Sequence, residues 1–62
     1  MSTKPANTYT VTDHEGAEWV IDADMALTGE HGWLELRNQG HVSVLVALLW
    51  RPRFVEVTPN VN

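Results

Sequence analysis

Sixty-two residues with no cysteine and a formal net charge of -4 leave room for one small domain. They exclude disulfides, thiolate metal sites and a cysteine nucleophile. Hydrophobic residues are 44% of the chain and charged ones 19%. That composition is globular, and no run reaches the roughly 18 apolar residues of a membrane helix.

The opening residues, Met1 to Asn7, lack the apolar run of a signal peptide and show no periodicity, so residues 1–7 read as a disordered tail. Thr8-Tyr9-Thr10-Val11-Thr12 alternates, with Tyr9 and Val11 on one face. Asp13-His14-Glu15-Gly16 is a polar loop closed by glycine, and Ala17 to Asp22 resumes the alternation with Ala17, Trp19 and Ile21 together. This is the pattern of a β-hairpin. Ala23 to Gly29 fits one helical turn or a short strand, and the strand is favoured because the segment is too short to hold a helix by propensity. Gly29-Glu30-His31-Gly32 is a second loop. Trp33 to Arg37 alternates again with Leu34 and Leu36 inward, and Asn38-Gln39-Gly40 is a third turn.

His41 to Trp50 is the most apolar segment. Val42, Val44, Val46, Leu48 and Trp50 share one face, and His41, Ser43, Leu45, Ala47 and Leu49 share the other. Helical spacing also fits Leu45, Leu48 and Leu49, but the β-branched valines favour a strand. Such a strand is either central with both faces covered or meets another chain through its outer, Leu45/Leu49 face. Pro52 breaks the strand, Phe54 to Thr58 forms the last one, and residues 59–62 read as a tail. The whole is expected to be all-β: one domain over residues 8–58, a small antiparallel meander of about five strands, as an open sheet or a partly closed barrel.

Charge is uneven. Residues 1–36 carry a balance of -6 and residues 37–62 one of +2, with seven acids and no base between Asp13 and Glu35. Glu18 and Asp22 fall opposite Trp19. They form either an acidic face kept for solubility or one that docks on a basic surface or imitates nucleic-acid phosphates. Four basic residues are too few for the phosphate contacts of a nucleic-acid binder. Trp50-Arg51-Pro52-Arg53-Phe54 interleaves arginine with aromatics, as stacking and anion recognition require. Packing of Trp50 and Phe54, with the arginines solvating the turn, explains the same residues.

Catalytic groups are sparse. His14 and His31 sit in loops beside Glu15 and Glu30 and would make a metal site only if those loops converged; their spacing does not demand it, so no metal or other cofactor is expected. Ser43 lies within a strand, and no Gly-rich phosphate loop occurs. The reading is non-enzymatic.

Ala23-Asp24, Gly32-Trp33-Leu34-Glu35-Leu36, the valine-rich strand and Phe54-Val55-Glu56-Val57 together resemble small uncharacterised β proteins of actinobacterial phages. The resemblance spans Tyr9 to Val57. It implies a phage accessory protein acting in the host cytoplasm and brings no catalytic residues. A chain this short buries only about 60% of its unfolded surface, so self-association is the expected aid to stability. The first functional expectation is therefore a small interaction protein that forms a homo-oligomer through Trp33, Leu45, Leu49 and Trp50 and binds a host or phage protein. The alternative is an oligomeric protein that sequesters an anionic nucleotide with Trp50, Arg51 and Arg53, assisted by Arg37.

Overall fold

The computed structural model describes residues 5–40 and 42–60. The strands are β1 (Asn7–Thr12), β2 (Glu18–Ala23), β3 (Met25–Thr28), β4 (Trp33–Asn38), β5 (Val44–Trp50) and β6 (Phe54–Pro59). Among the described residues there is no α-helix, only a single 3-10 turn at Glu30–Gly32. The all-β class is as expected, and residues 25–28 are extended.

The arrangement is not a meander of five strands. Among the described residues six strands form two antiparallel three-stranded sheets, ordered β2-β1-β6 and β3-β4-β5. Sequence-adjacent β2 and β3 lie in different sheets because the chain bends at Asp24. There the Asp24 N–H turns away to the Arg37 carbonyl (3.0 Å) and the Asn38 Oδ1 (3.2 Å). β6 pairs not with β5 but with β1. Arg51, at φ +45°, reverses the chain, and the Arg53 N–H then bonds the Thr12 carbonyl at 2.7 Å. That bond starts β6 beside the far end of β1. β1 begins at Asn7 and β6 runs to Pro59, so the paired strands extend into residues read as tails. Asn60 continues the contact, donating from its backbone to the Ala6 carbonyl (2.9 Å) and from its side chain to the Pro5 carbonyl (2.9 Å).

Alternation decides what each sheet buries. In the first sheet the rows Ile21–Tyr9–Val57 and Trp19–Val11–Val55 share the face toward the core, which buries Tyr9 and Val11 and half-buries Ile21 but leaves Trp19, Val55 and Val57 exposed. The rows Glu18–Thr12–Phe54, Val20–Thr10–Glu56 and Asp22–Thr8–Thr58 face outward. In the second sheet Thr28–Leu34–Leu49 and Ala26–Leu36–Ala47 face inward. The core consists of Tyr9, Val11, Ala23, Leu34 and Leu36, flanked by Ile21, Ala26, Ala47 and Leu49. This is a small core on a thin molecule, 12 Å through its shortest axis.

Candidate functional site: the outer face of the second sheet

β5 does not present the face its alternation suggests. Leu36 pairs with Ala47, but the next residue, Arg37, pairs with Leu45, so Val46 is an extra residue bulged out of the ladder. A bulge reverses the parity of everything beyond it. Leu49 therefore points inward and packs against the core, which corrects its expected place at an interface. Leu48, which alternation puts on the face opposite Leu45 and Leu49, points outward together with Trp50. Leu45 does face outward, on the same side as Leu48 and Trp50, because the bulge brings it there.

The outer face consists of three rows. Trp33 pairs with Trp50, Glu35 stands between Leu27 and Leu48, and Arg37 stands between Met25 and Leu45. Leu27, Trp33, Leu45, Leu48 and Trp50 are each 36–49% exposed. Apolar groups left this open in a contiguous patch mark a contact surface far more specifically than scattered single residues do. Three of the four expected interface residues, Trp33, Leu45 and Trp50, are thus brought together. Leu27 and Leu48 belong to the patch but were not expected there. The signal that would have found Leu27 is its two-residue spacing from Met25 once that segment is read as a strand.

Glu35 and Arg37 are neighbours on this face. The Arg37 Nε donates to Glu35 Oε1 at 3.1 Å, with Nη2 also 3.1 Å away, and Nη1 reaches the Ser43 hydroxyl at 3.4 Å. They are the only charged side chains in the three rows among the described residues, so the rows themselves are electrically neutral, with the Arg51 guanidinium bordering them at the Trp50 end.

The acids gather elsewhere. Glu18, Asp22 and Glu56 all lie on the outer face of the first sheet, and Asp22 accepts from the Thr8 hydroxyl at 2.7 Å. Asp24 is a backbone anchor instead, and Asp13 organises the first turn. The Asp13 carboxylate accepts from the backbone N–H of Glu15 and of Ala17 (both 2.9 Å) and from the Trp19 indole at 3.0 Å. Gly16 supplies the positive φ, +92°, that closes this turn.

The indole bond is the main reason the Asp13 carboxyl sits below its ordinary value of 3.8. Desolvation, the next largest effect, opposes it, and the Ala17 and Glu15 backbone bonds and the His14 charge act with the indole. A lowered folded value means the contribution is present above the unfolded pKa of about 3.8 and is lost as pH falls through the folded value. The Trp19 indole N–H resonance should therefore shift in a single step below about pH 4 and stay flat in Asp13→Asn. A shift centred above the ordinary carboxylate value would contradict this assignment.

One end of the molecule collects the other expected residues. The His14 ring meets the Trp50 ring edge-on, with centroids 5.1 Å apart, and the Arg51 guanidinium lies 5.4 Å from the Trp50 centroid. The Arg51 Nε donates to the His31 carbonyl at 3.1 Å. Gly32, at φ +84°, is required because a Cβ there would stand 2.9 Å from the Arg51 Cγ. His14 and His31 thus both border the Trp50–Arg51 corner, but among the described residues no group of three or more His, Asp or Glu is gathered to hold a metal. His41 lies outside the described residues. Of the expected nucleotide-binding set, Trp50 and Arg51 meet and Arg53 lies near Gly16, whereas Arg37 is paired with Glu35, four residues along β4 from the Trp33–Trp50 row.

Among the described residues no helix is long and apolar enough to cross a membrane. Compared with known proteins, the chain matches no family model, no curated protein and no solved structure.

Proposed function

We propose that this chain is a non-enzymatic interaction module that self-associates and engages a host or phage protein, using the outer face of β3-β4-β5 as its contact surface. The observation that carries the reading is the contiguous patch of Leu27, Trp33, Leu45, Leu48 and Trp50, left open on a domain in which five of the described residues form the buried apolar core. Trp33 and Trp50 form the end row of the patch, and tryptophan is among the residue types most enriched at binding hot spots. The phage origin and a place in the host cytoplasm rest on the sequence resemblance. The acid-rich outer face of the first sheet, with Glu18 and Asp22, is the surface a basic partner would choose.

Nucleotide sequestration has less support from the geometry. Arg51 is spent on the Trp50 ring and the His31 carbonyl, and Arg37 stands apart with Glu35.

Leu48→Lys tests the surface. Leu48 is 49% exposed, so the fold should survive with a stability change of about 0.5 kcal/mol or less. Association measured by light scattering and by pull-down should be lost, because a lysine ammonium would have to be desolvated at the contact. Unchanged association with an intact fold would place the contact surface elsewhere.

A further inference from the structure

The outer face of β3-β4-β5 is complementary to itself, and we infer that its occupant is a second copy of the same chain, related by a two-fold axis that crosses β4 at the level of Leu36. The inference rests on the proposed contact surface and specifies its register. Take that axis in the plane of contact and perpendicular to the strands. It exchanges the row Leu27–Glu35–Leu48 with the row Met25–Arg37–Leu45, since these lie one residue to either side of Leu36. Glu35 then stands over the partner's Arg37, Leu48 over the partner's Leu45, and Leu27 over the partner's Met25. Each contact occurs twice, as an isologous interface requires. Sheets packed face to face with strands nearly aligned are a common arrangement at about 10 Å separation.

Charge selects this occupant. The face carries one negative and one positive group in adjacent rows, a pattern that a two-fold copy matches and that a uniformly basic or acidic partner does not. The arrangement also directs the Glu18, Asp22 and Glu56 faces of the two copies away from each other, so a chain of net charge -4 can pair without bringing its acids together. The bulge at Val46 belongs to the same design. Without it Leu45 would not share a face with Leu48, and the leucine-on-leucine contact would be missing on both sides of the axis.

Two variants and their mixture test the register. Glu35→Arg leaves the face with two positive groups, and Arg37→Glu leaves it with two negative ones. Each variant alone should sediment as a monomer at concentrations where the wild type is a dimer, its self-association weakened about tenfold or more by like charges. Mixed one to one, they should form a dimer, because each face now meets its opposite. Amide spectra of the separate variants report whether both remain folded; a variant that unfolds is replaced by Glu35→Lys or Arg37→Asp, which place the same signs on shorter or simpler side chains. A mixture no heavier than its components overturns the two-fold register, as do single variants that dimerise like the wild type. If Leu48→Lys abolishes association while the charge mixture does not restore it, the contact surface stands and only the register falls. A wild type that stays monomeric at every concentration removes the second copy as occupant and leaves the surface to be tested against another protein.

Discussion

Replacing Leu36 with alanine should cost about 2–5 kcal/mol, the range for emptying a fully buried leucine site. Leu36 is 0% exposed and is flanked in its row by Ala26 and Ala47, so it is the only bulky side chain in that row. Neither alanine can grow into the space, and Val11 across the core is already fully buried on the central strand of the other sheet. The hole would therefore persist. A domain of this length has a total stability of about 3–9 kcal/mol, so the variant should lose a large share of it. Urea unfolding should show the midpoint falling sharply with the slope unchanged. A loss under about 1 kcal/mol would mean that the core is organised around some other residue.

The importance of Leu36 was legible in the sequence, and the reason is locality. Leu34 and Leu36 alternate with Glu35 and Arg37, so hydrophobicity and charge agree on which face is inside. The β1-β2 hairpin was legible for the same reason, because Asp13 and Gly16 supply the turn chemistry between two alternating runs. β5 was not legible. Its two faces are almost equally apolar, so alternation gives no preferred side, and the Val46 bulge reverses the parity without leaving a glycine or proline to announce it. Trp33, Leu45 and Trp50 do share one face, whereas Leu49, expected with them, packs on the core and Leu48 takes its place. The pairing of β6 with β1 was beyond local reasoning, since it joins the two ends of the described chain. Asp24 was hidden differently. It stands in a run of seven acids without a base, where any one carboxylate reads as a solvated surface group, and only the bend between the sheets distinguishes it.

That distinction predicts a large effect for Asp24→Ala. The Asp24 carboxylate accepts from the Ala6 N–H at 2.7 Å through Oδ1 and from the Gln39 N–H at 2.6 Å through Oδ2. Its carbonyl also accepts from the Asn7 side chain at 3.1 Å. One residue thus ties the segment entering β1 to the turn leaving β4, at the point where the chain passes between the sheets. Hydrogen bonds to a charged acceptor contribute about 1.5–3 kcal/mol each, and water can partly replace these because both amides are exposed. The expected net cost is about 2–3 kcal/mol, which lowers the melting temperature by roughly 10 °C or more in a domain this small. Asp24→Asn retains one carbonyl oxygen but turns an amide donor toward the other N–H, so it should recover only part of the loss. Hydrogen exchange separates this anchoring role from a general loss of stability: the Ala6 and Gln39 amides should lose protection beyond the global change, while those of the β1-β2 ladder follow it. Melting within about 2 °C of the wild type would show that the bend is held by the ladders alone.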